Sequence, residues 1–542
     1  MYDAWNEPVS RPTGQCQCEH SVASYRQWLQ RRFGPIERLN EFFGKAWTSY
    51  DTLFPPTVWE DYVELFLWRQ WAAESVASQV KFVADAIRLA DPKAFVMVHV
   101  GQSSVTQDPV WATSDDMLNA KTTDRYGTSF WIPLHPKTPI DHAHPDYQSD
   151  WIRRVDPSYW CHEFYTNHGE WSRPPEPRTL NRLIWFAIAG GAAGFTFWQY
   201  RSERLGNETN GYGMRNIDGS PTDRSQVTDG IARTLAKFGK SLVGTKRVPS
   251  QIGLLYSRES DLIMRIQESN SSWGEGGLAQ ERGNSDYTYK KAIKAAHALY
   301  LGCGQTVDWC VPGDDLASVR LLHVTCTEMI DAKTAQWLKD FVQNGGTLVV
   351  EFPFACRDER TWVTQAIPSH GLDGLLGCTQ ADRVVTVKNA PDVATFTNGR
   401  RIQAHRWRIV LAPTTGKPLA HWQDGSVAAV VNKFGKGTVY AVGANVSAAF
   451  SDSWDDPAFD LFSEWVRSAG VETGSGASRH VWGRKRRAPG REVWFVFNVS
   501  TQPQKITLHA VPKHVWQDAG CALSKSDLLL EPGATWVAEF AV

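Results

Sequence analysis

"MYDAWNEP" (residues 1–8) carries an apolar and aromatic run into an Asn-Glu pair, Asn6-Glu7, closed by a proline. Residues 2–6 read as the tail of a strand that ends on an acidic side chain. Four more segments fit the same sheet: "AFVMVHVG" (94–101), "DRYGTSFWI" (124–132), "YWCHEF" (159–164) and "GFTFWQY" (194–200). Residues 7–20 read as a loop. Val22, Tyr25, Leu29 and Phe33 then recur at helical spacing until Gly34-Pro35 ends the helix. Residues 58–90 run helically to Asp91-Pro92, and residues 180–189 form an apolar helix. Strands alternating with helices predict parallel βα units.

The pattern changes near residue 246. "SQIGLLYS" (250–257) starts a strand, a helix covers 287–301, and "VRLLHV" (319–324) is the next strand. Ala335, Leu338, Phe341 and Val342 share a helix face over 331–344. Gly345-Gly346 ends that helix and "TLVVEF" follows. This is a second α/β unit, bounded by the linker "ETGSGAS" (472–478). The last stretch, with "REVWFVFNVS" and "TWVAEFAV", has short alternating strands and no helix, the pattern of a small β-sandwich. Three domains follow, at 1–245, 246–472 and 473–542.

At 542 residues the chain is too long for one core. Its 57 basic and 58 acidic residues leave a net charge of −1, which argues against nucleic acid or a membrane surface as partner. No apolar run is long enough to span a bilayer. The 25 Trp serve core packing or stack on sugar rings, and the nine Cys, an odd number in a long chain, make no disulfide framework.

Two carboxylates stand at strand ends, Glu7 after "YDAWN" and Glu163 after "YWCH". Glycoside hydrolysis needs such a pair, one group to protonate the leaving oxygen and one to attack the anomeric carbon, roughly 5–5.5 Å apart in retaining enzymes. In a β/α barrel they sit at the C-terminal ends of strands. Glu170, seven residues past Glu163, competes for the second role and ranks below it. Asp124 and Tyr126 are placed to line the pocket. His142 and His144 read as surface-loop residues rather than metal ligands. "GRKRRAPGR" (483–491) reads as a solvated hairpin tip, because no aromatic interleaving supports nucleic-acid binding.

"WNEP", "CQCEH" and "YRQWLQRRFGPIERLNEFFGKAWTS" (25–49) together resemble the fourth-strand region of glycoside hydrolase family 42, the β-galactosidases. "HEFYTNHGEW…GFTFWQYRSERLGNE" (162–208) is similar to that family's seventh- and eighth-strand region. The resemblance implies an incomplete TIM (β/α)8 barrel, a flavodoxin/glutamine-amidotransferase-like α/β trimerisation domain and a C-terminal β-sandwich. It implies a retaining β-galactosidase in which Glu7 matches the acid/base and Glu163 the nucleophile. Asn6 matches the Asn at the sugar 2-hydroxyl, Trp171 a pocket Trp, and Glu208 a Glu that binds sugar hydroxyls. Glu7 must then be protonated at working pH and Glu163 ionised. A homotrimer acting on a small carbohydrate is implied; no cofactor and a cytoplasmic location are expected. The alternatives are a glycosidase for another sugar, such as an α-L-arabinopyranoside, and an inactive carbohydrate-binding subunit. Cys326, in the amidotransferase-like unit, has no G-x-C-x-G elbow around it and reads as a structural thiol.

Three departures from the family pattern carry expectations. Only five barrel strands are present, which suggests a chain shortened at its N-terminus, with two sheet edges and part of a core exposed. The family's Cys-rich loop keeps Cys16 and Cys18, but Ser21 holds the third place, so a structural zinc is not expected. Glu208 is followed by Thr209, Asn210 and Gly211 where the family has a His three residues on, so sugar specificity is relaxed.

Overall fold

The computed structural model describes residues 1–10, 17–56, 62–130, 133, 135–169, 173–209, 211–268, 287–386, 390–453, 456–472 and 479–542. Its first unit is a five-stranded, wholly parallel sheet in sequential order: β1 (Tyr2–Asn6), β2 (Val96–Val100), β3 (Arg125–Phe130), β4 (Trp160–Tyr165) and β5 (Gly194–Trp198). Helices α1 (Glu19–Phe33), α2 (Ile36–Phe43) and α3 (Tyr62–Ala90) fill the first crossover, α4 (Asp116–Asn119) the second, α5 (Pro139–Val155) the third and α6 (Pro177–Gly190) the fourth. Helix α7 (Asp223–Phe238) follows β5. This is a partial β/α barrel. Strand β2 is buried along its whole length, whereas the edge strands β1 and β5 are partly exposed.

Local chemistry explains the helix limits. Gly34 (φ 78°) and Gly191 (φ 116°) end α1 and α6 in conformations open to glycine. Helix α5 begins with a capping box between Thr138 and Asp141 and with Pro139 in its first turn. His142 and His144 therefore lie on a helix, not in a surface loop. Both are half-buried: Arg182 donates to His142 Nδ1 at 3.1 Å, and the Tyr147 hydroxyl lies 3.0 Å from His144 Nδ1. Several tryptophans do core work. Trp68 packs edge-on against Tyr25 (4.9 Å) and stacks on Trp71 (4.3 Å), and Trp151, Trp185, Trp465 and Trp536 are also buried.

The middle unit is an α/β sheet. Its parallel part contains β7 (Ile252–Leu255), β8 (Asp308–Cys310), β9 (Leu321–Thr325) and β10 (Thr347–Glu351), with α8 (Arg258–Gln267), α9 (Thr288–Gly302) and α10 (Ala332–Gln343) packed on it. Antiparallel strands between residues 378 and 442 extend it. Cys326, just past β9, is buried, its thiol accepts a hydrogen bond from Asn445, and burial pushes its pKa up, so it is a packed thiol. The C-terminal unit packs a sheet built on Val481–Ala488, Arg491–Asn498 and Thr535–Ala541 against a second one of three short strands, a β-sandwich. Its first sheet also takes in β6 (Lys246–Arg247).

The basic run 483–491 is a hairpin whose tip is solvated, with Arg487, Pro489 and Gly490 exposed, but its start is not. Arg484 is buried and donates to Asp146 and Asp150 on α5. Arg247 lies 3.3 Å from Asp150 and also pairs with Asp308, which pairs with Arg153 at 2.6 Å. His297 Nε2 lies 3.1 Å from Asp150. This charge network joins all three units. Composition could not reveal it, because a run of Arg reads as exposed until its acidic partners, more than 330 residues earlier, are brought beside it.

Candidate active site

The C-terminal ends of β1, β3 and β4 bring the two carboxylates together. Ser129 Oγ donates to Glu7 Oε1 at 2.8 Å and lies 3.3 Å from Glu163 Oε2. Those two distances hold the carboxylate oxygens within about 6 Å of one another, close to a retaining pair (~5–5.5 Å) and short of most of the inverting range (~6.5–9.5 Å). Both residues have left-handed backbones, Glu7 at φ 50° and Glu163 at φ 57°. Strain of this kind persists where the surroundings over-determine a conformation, and it clusters at active sites. Glu163 also lies where the pairing of β4 with β5 slips between Cys161 and Phe164. An irregularity of that kind re-aims a side chain.

Electrostatics favours the ionised form of Glu163. Burial works to raise the Glu163 pKa, but His99 beside it, the Tyr165 hydroxyl donating at 3.0 Å and the Ser129 hydroxyl outweigh burial and hold the carboxyl below its usual value. Glu163 is therefore ionised, as a nucleophile must be. Glu7 is half-buried against Gly101, its backbone N–H donating to His99 O at 3.1 Å.

The other sequence-chosen residues separate clearly. Asn6 is exposed beside Glu7 at the end of β1. Glu208 is half-buried and accepts from Trp198 Nε1 at 2.9 Å, which ties it to the end of β5. Tyr126 does not line the cleft. It is 1% exposed, and its hydroxyl donates to Asp116, which also accepts from Trp151 Nε1. Side chains alternate along a strand, so with Ser129 facing the carboxylates, Tyr126 and Thr128 face the helices. Asp124 sits at the opposite end of β3, where it accepts from Val96 N and pairs with Arg88. Trp171 and Glu170 lie outside the described residues. Sequence reasoning missed Ser129 and Tyr165. Period-two alternation from Glu163 would have found Tyr165, but nothing local marks Ser129.

Cys16 also lies outside the described residues. Cys18 is exposed, with Sγ 3.7 Å from Ser21 Oγ. The loop thus offers one described thiol where structural zinc takes four N or S ligands. Among the described residues, Asp3, His99 and His162 bring potential ligand atoms within 4.8 Å of one another. A cavity of about 490 Å³ lies elsewhere, between α1–α3 and the C-terminal ends of β7 and β9, lined by Phe33, Phe43, Ser257 and Met329 among others. Neither carboxylate lines it. No helix among the described residues is long and apolar enough to cross a membrane.

Comparison with known proteins agrees with this geometry. Residues 1–238 match the family model described as β-galactosidase, and residues 250–456 match the β-galactosidase trimerisation domain. The β-galactosidase Bga of Halorubrum lacusprofundi is 24% identical over 502 residues, spanning 86% of this chain and 68% of the relative. The bgaB β-galactosidase of Geobacillus kaustophilus is 25% identical over 455 residues, 81% of this chain and 64% of the relative. The chain thus spans about two thirds of the length of these relatives. Among solved structures, a catalytic mutant of Gan42B from G. stearothermophilus superposes with a TM-score of 0.83 at 16% identity, over 99% of this chain and 78% of that one. A β-galactosidase from Bacillus circulans sp. alkalophilus gives 0.82 at 15% identity, over 97% and 77%. The two family models follow one another in the order of the observed sheets, and with that the chain belongs to glycoside hydrolase family 42.

Proposed function

We propose that this chain hydrolyses terminal β-galactosides with retention of configuration, Glu163 acting as nucleophile and Glu7 as acid/base. One observation carries the reading: two glutamates, Glu7 just past β1 and Glu163 in β4, both in left-handed conformations, converge on the Ser129 hydroxyl. The names of the relatives supply the sugar.

Glu163, held ionised, attacks the anomeric carbon while Glu7 gives its proton to the departing oxygen. Glu7 then takes a proton from water, which displaces Glu163 from the sugar. The Tyr165 hydroxyl, donating to Glu163 Oε2, holds that carboxylate in place for attack. Asn6, beside Glu7, is assigned to the sugar 2-hydroxyl. Glu208, fixed through one oxygen by Trp198, keeps the other for a sugar hydroxyl. The chemistry needs water and no cofactor. Residues 250–456 support a homotrimer.

A panel of nitrophenyl glycosides tests the reading. β-D-galactopyranoside is expected to be the best substrate, ahead of α-L-arabinopyranoside. Azide should rescue Glu163→Ala with the α-galactosyl azide as product, and Glu7→Ala with the β-azide. Preference for another sugar, or the two azide products exchanged, would overturn the substrate or the roles respectively.

A further inference from the structure

His99 stands behind the nucleophile with each ring nitrogen facing a carboxylate. It is 1% exposed. Nδ1 lies 2.7 Å from Asp3 Oδ2, while Nε2 makes no hydrogen bond and faces Glu163 Oε1 at 3.6 Å. Asp3 belongs to β1, His99 to β2 and Glu163 to β4, with β3 lying between the last two. What lets a β2 side chain reach β4 is Gly127, paired with His99 on β3. A Cβ on Gly127 would meet His162 Cβ at 3.3 Å and His99 Cβ at 3.4 Å, tighter than ordinary contact. The missing side chain leaves a gap across which the His99 and His162 rings come within 4.2 Å, centroid to centroid.

We propose that His99 is a positioning residue for the nucleophile: clamped by Asp3 on one nitrogen, it presents the other to Glu163 and keeps that carboxylate ionised and aimed at the anomeric carbon. The inference rests on the retaining reaction proposed above, with Glu163 as its nucleophile.

The charges around the ring fit this role. The groups facing it are Asp3 from β1, Glu163 and His162 from β4, and the peptide N–H of Glu7 at its own carbonyl. Burial pulls the His99 pKa down, but the bond to Asp3 and the charges of Asp3 and Glu163 lift it to about 9. Burial and the His99 charge push His162 the other way, so one ring of the two carries the proton. Asp3 is held below its usual value, the His99 bond and charge outweighing burial. A fixed cation beside Glu163 stabilises the carboxylate both before attack and as it leaves the sugar in the second step.

The Asp3, His99 and His162 trio also has the composition of a metal site, and one distance speaks against it. Zinc bound tetrahedrally at ~2.0–2.1 Å holds two ligand atoms roughly 3.4 Å apart. Asp3 Oδ2 and His99 Nδ1 are 2.7 Å apart, the separation of a shared proton.

Two measurements test the proposal. In protein labelled at histidine ¹³Cε1, with the His99 resonance identified from its loss in His99→Asn, the ring should stay protonated past pH 8. Its titration should fall by at least about one pH unit in Glu163→Gln and in Asp3→Asn. In kinetics, the acidic limb of kcat/KM for the β-galactoside should move up by about one pH unit in His99→Asn, with KM within threefold of wild type. A merely structural histidine would lower activity equally at all pH values and leave the limb in place. Titration near 6.5 that ignores Glu163→Gln, an unmoved limb, or a stoichiometric divalent metal lost in His99→Asn would each overturn the inference. If wild type turned over no galactoside, the functional reading would fail while the NMR coupling still decided the role of His99.

Discussion

Gly101 lies directly against Glu7: a methyl group on Gly101 would come within 2.6 Å of the glutamate Cδ. The atoms it would strike are the free end of a side chain, so the fold can yield, but the carboxylate cannot stay where it is. Gly101→Ala should therefore leave the melting temperature within about 2 °C of wild type and lower kcat/KM by roughly 10²-fold, the effect of a misplaced acid/base. Galactoside kinetics beside thermal melts check this. Full activity in the variant would mean that Glu7 is not held by this wall.

Trp198 anchors Glu208, and Glu208 is assigned to binding rather than to chemistry. Trp198→Phe removes the 2.9 Å bond but keeps an aromatic ring. We expect KM for β-galactosides to rise about tenfold with kcat within threefold, the pattern of lost uniform binding. A fall in kcat at unchanged KM would move Glu208 into the bond-breaking step.

Arg484 closes the network between the three units. Arg484→Ala leaves Asp146 and Asp150 buried with fewer partners, and breaking such a buried pair costs about 3–5 kcal/mol. Lys505 and Asp527 form a pair on the surface, with side chains 64% and 42% exposed, and Lys505→Ala should leave stability close to wild type. Chemical denaturation of the two variants side by side gives the contrast. Equal, small losses would show that the units do not depend on the buried charges.

His142 and His144 make stability depend on acid. Burial, helped by Arg182 beside the first and Lys294 beside the second, pushes both pKa values down to about 3. Each ring is neutral in the folded chain at pH values where the unfolded chain, near 6.5, is already protonated. Their contribution is complete above pH 6.5 and is lost as pH falls toward 3, at up to about 1.4 kcal/mol per pH unit for each ring. His144→Gln should flatten the fall in denaturation midpoint between pH 6.5 and 4 relative to wild type. An unchanged slope would place the acid sensitivity elsewhere.

The fold was largely legible because its signals are local. Apolar runs set all five strands of the first sheet, and glycine or proline marked the helix ends at Gly34 and Asp91-Pro92. Helix α5 escaped notice because Pro139 and Pro145 suggest a loop, whereas a proline in the first turn is well placed there and Thr138 caps it. The antiparallel strands of the middle unit escaped notice although Trp407–Pro413 and Gly437–Val442 alternate buried and half-buried positions, the period-two signal that would have found them.

The amino-acid order by itself determined where the acidic side chains fall on the strands, at Glu7 and Glu163, since strand ends and period-two alternation are properties of adjacent residues. Only the tertiary structure decided which groups share one cleft. It turned Tyr126 into the helix layer and Ser129 toward both carboxylates, placed His99 between Asp3 and Glu163, and buried Arg484 beside Asp146. Those pairings span up to more than 300 residues of chain, and no local pattern encodes them, because a distance in space is set by how the whole sheet packs.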